Sequence, residues 1–401
     1  MSSEKDPAIS DTSKSHIHHP SLLAAIRAEI AVAGRITFAR FMQLALYHPE
    51  HGYYLTPERR PGRGGDFLTA PEASAYFGLT VARQIAECWE RLGKPDRFTI
   101  REYGAGIGAL AYDVIAGLSE HDPALMRALE YRLVEPNRHR MEQARAAMAE
   151  VGLSDVVVAE SIPEGADPEP ISGVVLANEV ADALPVHRLV VRDGELQERY
   201  VTWQSGRFAE EEAELSAEVA GYPDYFARTG VPLVEGGVYD GSPAASAWFA
   251  TACQGIARGY AIVIDYGYPA RKLYTGHRLG GTVRGYFEHT VTDDPFARVG
   301  YQDLTAHVDF TALREAGEAA GMTVAGFTTQ AAFLASLGLG ERLLALQRDP
   351  DAALGDYLSA QAVVLRLIDP GGLGRFGVLL MARNAPVDPP LLGLKEKPPS
   401  F

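Results

Sequence analysis

The stretch Phe98-Thr-Ile-Arg-Glu-Tyr-Gly104-Ala-Gly106-Ile-Gly108-Ala109 decides the fold. Its first six residues read as a strand, and an apolar helical pattern runs from Ala109 to Leu118. Between them lie Gly104, Gly106 and Gly108, at every second position. Glycines let the backbone turn sharply and let a ligand approach with no Cβ in the way. The helix that follows points free N–H groups and its positive dipole end toward that ligand. A second predicted strand, Tyr131-Arg-Leu-Val-Glu135, ends in an acid, followed by Pro136. A carboxylate there accepts hydrogen bonds from ribose hydroxyls. Strand, glycine loop, helix and strand-end acid together describe a nucleoside site. Gly104, Gly106 and Ala109 also satisfy the dinucleotide fingerprint, which keeps a nicotinamide-dependent oxidoreductase as the alternative. Glu102, two residues before the first glycine, opposes that alternative, because a carboxylate there repels a pyrophosphate.

Working outward, short apolar segments keep alternating with helical ones. Helix is expected over 138–151, and strands at 155–158 and 171–177. The sheet resumes at Ala261-Ile-Val-Ile-Asp265, with further strands at 322–327 and 375–382. Such alternation indicates an α/β fold, a Rossmann-like parallel sheet covered on both faces. Upstream, helices are expected from Ser21 as a cap, after Thr37, and over 71–92, with a glycine-rich loop at 55–66. A hairpin turns at Asp193-Gly194. The acidic run Glu210, Glu211, Glu212 and Glu214 reads as a solvated helix face. The chain divides into a disordered tail (1–19), a helical region with an acceptor-side loop (20–95), and a Rossmann-like domain (96–383). That domain carries insertions at about 205–255, 266–310 and 329–368, and a loose Pro-rich tail (384–401) follows it. The insertions at 205–255 and 329–368 leave room for a homodimer.

Composition narrows the function. Of 401 residues, 37 are Lys or Arg and 52 Asp or Glu, so the net charge of -15 disfavours nucleic acid as a partner. The two cysteines, Cys88 and Cys253, read as small buried hydrophobes, and no metal is expected. No apolar run is long enough for a membrane span, and residues 1–15 lack a secretory or Arg-rich leader pattern, so a cytoplasmic protein is expected.

Glu102 ahead of three spaced glycines resembles the S-adenosylmethionine loop of class I methyltransferases. More strings extend the likeness: Ala45-Leu-Tyr-His-Pro-Glu-His-Gly-Tyr-Tyr54, Gly65-Asp-Phe-Leu-Thr-Ala-Pro-Glu72, Asn178-Glu-Val-Ala-Asp-Ala-Leu-Pro185, Ile264-Asp-Tyr-Gly267 and Asp303-Leu-Thr-Ala-His-Val-Asp-Phe310. Together they resemble the MidA-type methyltransferases, the family of the mitochondrial complex I assembly arginine methyltransferase. Two departures are Glu-Tyr for the commoner Glu-Leu or Glu-Phe, and Glu-Pro-Asn137 where Glu-Val-Ser is frequent. The resemblance implies S-adenosyl-L-methionine as cofactor, held by Glu102, Gly104, Ala105, Gly106, Gly108, Glu135, Pro136 and Asn178, with Gly65 and Thr69 nearby. It implies an acceptor side chain of a protein, an arginine, with a small-molecule acceptor as the alternative. A guanidinium stays charged at any physiological pH. Carboxylates are therefore expected to clamp it: Glu179, Asp182, Asp66, Glu72 and Asp265, with His307 beside them. Plainer roles exist for some. Asp182 and Asp309 suit helix caps, Pro71-Glu72 suits a helix start, and His307 suits the core. Gly285, Tyr286 and His289 are candidates for the acceptor wall.

Overall fold

The computed structural model describes residues 17–56, 75–163, 165–275 and 279–395. Seven strands form the central sheet and are labelled in chain order: β1 (Phe98–Tyr103), β2 (Leu129–Val134), β3 (Val157–Glu160), β4 (Ile171–Asn178), β5 (Ile256–Asp265), β6 (Thr323–Thr329) and β7 (Gly377–Arg383). Their spatial order is β3-β2-β1-β4-β5-β7-β6. The first five run parallel, and β7 lies antiparallel between β5 and β6. After β1 the chain proceeds outward to β2 and β3, then returns to place β4 on the other flank of β1. The carboxyl ends of β1 and β4 therefore sit side by side at the reversal, where open α/β sheets bind their ligands.

The strands form where burial on both faces rewards continuous apolar runs. Val174, Val175, Leu176 and Ala177 of β4 are all buried, as are Ala261 to Ile264 of β5. One face is covered by helices Ala75–Arg91 and Ala109–Ser119, through Phe77, Val81, Ile85, Trp89, Val114 and Leu118. The other is covered by Pro243–Gln254 and Phe310–Ala319, through Phe249, Cys253, Phe310 and Leu313. Both cysteines are buried free thiols, as expected.

A second, five-stranded sheet takes four strands from the chain between β4 and β5, at 187–192, 195–204, 207–213 and 238–241, and a fifth, at 36–37, from the segment before β1. The hairpin at Asp193-Gly194 is present. Helices Pro20–Ala33 and Phe38–Tyr47 pack on this sheet, burying Leu22, Phe38, Phe41, Met42, Val201 and Phe208 in one cluster. Thr37 caps the second of these helices through Arg40 N–H, as its sequence position predicts. The first starts two residues earlier than expected. Pro20 is its first residue, and His19 rather than Ser21 is the cap.

Two expectations need correcting. The acidic run is a strand, not a helix. Glu210 pairs with Arg188 and Arg199, Glu212 with Arg192 and Arg199, and Glu211 with Arg35. Cross-strand cations thus neutralise what looks like a self-repelling stretch. The segment 385–394 is docked rather than loose. Arg91 donates to the carbonyls of Pro389 and Pro390, Glu87 and Gln84 accept from the amides of Leu392 and Gly393, and Leu391 is fully buried. At the other end, residues 17 and 19 of the expected tail donate backbone hydrogen bonds to Ala297 and Val299. Residues 1–16 and 396–401 lie outside the described residues.

Candidate active site

A cleft of about 710 Å³ opens at the reversal point, between the glycine loop and the end of β4. On one side the loop is clamped to β2, because Gly104 and Ala105 N–H both donate to the Val134 carbonyl. Gly104 and Gly106 adopt left-handed φ of +68° and +56°. A Cβ on Gly104 would lie 2.7 Å from Val180 Cγ2, whereas one on Gly106 would meet nothing within 4 Å. The first glycine thus lets β4's loop come close, and the second leaves the cleft open for a ligand.

Two acids serve this loop. Glu135 is held by its own backbone: Oε2 accepts from Gly106 N–H at 2.9 Å and Oε1 from Asn137 N–H at 2.9 Å. Each oxygen keeps a second lone pair, so the carboxylate is oriented but not saturated. Burial raises its pKa, while the Asn137 N–H, Arg140 and the Gly106 N–H oppose the rise. Glu102 lines the floor of the cleft and is almost fully buried, with Tyr131 donating to Oε2 at 2.6 Å. Burial pushes its carboxyl up to about 8, against the opposing pull of the Tyr131 hydroxyl. The end of β4 supplies Asn178, whose Nδ2 donates to Glu179 Oε1. Its Oδ1 is buried with no partner among the described residues. Ile107, Leu110, Val134, Ile162 and Trp248 give apolar walls.

These residues fit S-adenosyl-L-methionine. The open space at Gly106 and the pre-set Glu135 suit a nucleoside sugar. The orphan acceptor on Asn178 and the buried Glu102 suit the cationic amino-acid end. Glu102, Gly104, Ala105, Gly106, Glu135, Pro136 and Asn178 all line the cleft. Gly108 stands behind it, as the left-handed cap of the following helix.

The acceptor-side expectations divide. Glu179 and Asp182 line the same cleft. Glu179 holds a left-handed φ of +54°, uncommon for a residue with a side chain. Asp182 is over nine-tenths buried, does not cap the short turn it sits in, and has Oδ1 unpartnered among the described residues. Burial and the nearby Asp265, Asp303 and Glu179 hold its carboxyl well above the usual range. Asp265 stands behind the wall. Its Oδ2 accepts from the amides of Val180, Ala181 and Asp182 and its Oδ1 from Tyr266, so it shapes the loop from below. Burial and Glu179 push it up to about 8. His307 also lies outside the cleft, its ring edge-on to Tyr266 at 5.0 Å beside a small cavity shared with Tyr222 and Asp240. Asp309 is a helix cap, accepting from Thr311 and Ala312 N–H, and Tyr225 donates to its other oxygen. Gly285, Tyr286 and His289 are not among the cleft-lining residues. Gly65, Asp66, Thr69 and Glu72 lie outside the described residues.

Sequence reasoning assigned no role to four residues that the fold brings here. Tyr47, Tyr54 and Arg140 line the cleft. Tyr54 also donates to Asp303 Oδ1 at 2.8 Å, bringing a fully buried third acid near Asp182. The available signal was position: Tyr47 and Tyr54 sit in one of the family strings, and Asp303 opens another.

Residues 80–328 match the model of a protein family described as "Putative S-adenosyl-L-methionine-dependent methyltransferase". The chain belongs to this methyltransferase family. A superfamily member from Burkholderia thailandensis, seen in a crystal structure bound to S-adenosyl-homocysteine, is 33% identical, with a TM-score of 0.85 and 98% of each chain covered. S-adenosyl-L-methionine is therefore the cofactor of this methyltransferase, and the dinucleotide alternative falls away. Among curated relatives, the mitochondrial protein arginine methyltransferase NDUFAF7 homolog of Drosophila melanogaster is 29% identical, covering 77% of this chain and 73% of its own. The mitochondrial protein arginine methyltransferase NDUFAF7 of Danio rerio is 27% identical, covering 91% and 88%. These relatives overturn the expectation of a cytoplasmic protein, which rested only on composition and the first residues. Among the described residues, no helix is long and apolar enough to cross a membrane.

Proposed function

We propose that this methyltransferase modifies the guanidinium group of an arginine presented by a protein. The reading is carried by one observation: Glu179 and Asp182 line the same cleft as the glycine loop, and Asp182 keeps a buried oxygen with no partner among the described residues. Grouped carboxylates that repel one another favour a cationic guest, and a guanidinium offers five donors in a planar fork. The names of the curated relatives support the same acceptor.

The cofactor, when bound, supplies a methyl group already activated on a sulfonium. The protein's task is then alignment and charge. Glu179 and Asp182 hold the guanidinium and draw its positive charge away from the attacking nitrogen. The nitrogen that gains the methyl group sheds one proton, and a carboxylate of this pair receives it. Tyr47 and Tyr54 stack at 5.5 Å and wall the cleft, keeping water from the reacting atoms. Asp66 and Glu72 belong to this proposal on resemblance alone.

The test compares Glu179→Gln and Asp66→Ala with the parent, measuring methyl transfer to arginine-containing peptides and to free arginine, and titrating S-adenosylhomocysteine in parallel. Glu179→Gln is expected to lower turnover about 100-fold or more, with product affinity within about threefold. Full turnover by both variants, or transfer to neither arginine form, overturns the acceptor assignment.

A further inference from the structure

Asn137 sits at a junction that the methyl-transfer chemistry leaves unexplained. It is 3% exposed, and all its polar groups are engaged in different directions. Its backbone N–H donates to Glu135 Oε1 at 2.9 Å. Its Oδ1 caps helix Arg138–Glu150 through the amides of His139 and Arg140. Its Nδ2 donates to the carbonyl of Tyr54 at 2.6 Å, across 83 residues of chain. Tyr54 is itself fixed at three further points. Its amide donates to Leu46, its ring stacks on Tyr47, and its hydroxyl donates to Asp303. The Arg140 guanidinium lies 5.8 Å from the same ring. One residue therefore joins, through its backbone N–H, the acid at the sugar end of the cleft and, through its side-chain amide, the segment that carries the tyrosine on the acceptor side.

We infer that Asn137 is a positioning residue that locks the Tyr54 strap over the cleft and ties its order to the orientation of Glu135. The physical argument is one of shared constraints. A neutral amide satisfies both demands at once, with an oxygen for the helix amides and a nitrogen for a carbonyl. Aspartate would keep the cap but set a carboxylate against the Tyr54 carbonyl. Serine would keep the cap and lose the reach. When ligand hydroxyls engage Glu135, the carboxylate loses freedom, and the Asn137 backbone bonded to it loses freedom too. Ordering then passes through Nδ2 to the strap. The inference rests on the cofactor site described above, and the two fail differently.

The experiment uses the full chain, S-adenosylhomocysteine as the probe, and amide hydrogen exchange at Tyr53 and Tyr54, whose N–H groups donate to Ala45 and Leu46. In the parent, the probe should slow exchange at these two amides about fivefold or more. In Asn137→Ser and Asn137→Asp the slowing should vanish, and affinity should fall about five- to tenfold, the scale of one neutral hydrogen bond. A merely structural role would lower the melting temperature of the Asn137 variants while leaving affinity and the ligand-induced slowing intact. That result overturns the inference, as does a parent whose Tyr53 and Tyr54 amides ignore a probe that binds. A parent that does not bind the probe refutes the cofactor site instead. Should one Asn137 variant fail to fold, the other, which also keeps the helix cap, decides, and a parent whose two amides ignore the bound probe overturns the inference in either case.

Discussion

Glu102 offers the sharpest quantitative handle. Burial pushes it up to about 8, and the proposed cofactor placement would bring the cationic amino-acid end beside it. At pH 7 the free protein then carries this carboxyl about nine-tenths protonated, while the complex carries it ionised. Binding S-adenosylhomocysteine should release close to one proton at that pH. Between pH 6.5 and 8 the apparent affinity should rise about fifteenfold, the ratio of ionised fractions for a group titrating at about 8. Titration calorimetry in two buffers of different ionisation enthalpy measures the released proton directly. Glu102→Gln, which cannot ionise, should abolish both the release and the slope, and weaken binding at pH 8 by about tenfold or more. The sign for folding runs the other way. The folded chain holds a proton that the unfolded chain gives up near the ordinary 4.5, so this group's contribution to stability falls as pH rises from there toward 8. Equal binding enthalpies in both buffers, or a Glu102→Gln protein with the parent's pH slope, would mean that Glu102 does not ionise on binding.

Other expectations separate fold from ligand. Gly106→Ala should cost about 1–2 kcal/mol of left-handed strain and nearly abolish S-adenosylhomocysteine binding, because its methyl enters the open cleft. Gly108→Ala meets Met148 Cε at 2.9 Å instead, so it should lower the melting temperature more than affinity. Calorimetric titration beside thermal unfolding checks the pair. Asp265→Ala strands four backbone amides and should cost about 3 kcal/mol, read from denaturant unfolding, whereas Asp265→Asn should recover most of it. Arg91→Ala frees the segment 385–394. Faster amide exchange at Leu392 and Gly393 should report it, with methyl transfer unchanged.

The readable parts of this protein were those whose cause is local. Glycines between a strand and a helix, a threonine cap at position 37, an aspartate cap at 309 and a two-residue hairpin turn each act within a few residues. That Glu102, the glycine loop and Glu135 line one cleft followed from them. What escaped depends on distant partners. The Glu210–Glu214 run reads as a solvated helix until Arg188, Arg192 and Arg199 are set across from it. Asp265 and His307 carry site-like chemistry at the right sheet edge, but side-chain direction put one beneath the loop and the other behind Tyr266. Asp303 became a neighbour of the cleft only through a hydrogen bond spanning 249 residues.

The antiparallel placement of β7 has a consequence for biosynthesis. β5 and β6 do not pair with each other, and β7 fills the slot between them along seven residues of β5. Until residues 377–383 leave the ribosome, β5 presents an unpaired, almost wholly apolar margin, Ala261 to Ile264, to whatever is near. The cleft at the glycine loop can be assembled early, since its strands are already synthesised, but the half-sheet beside it must be shielded until translation is nearly done. Nascent chains stalled before residue 377 should accordingly recruit holdase chaperones, and release them once the final strand slides home.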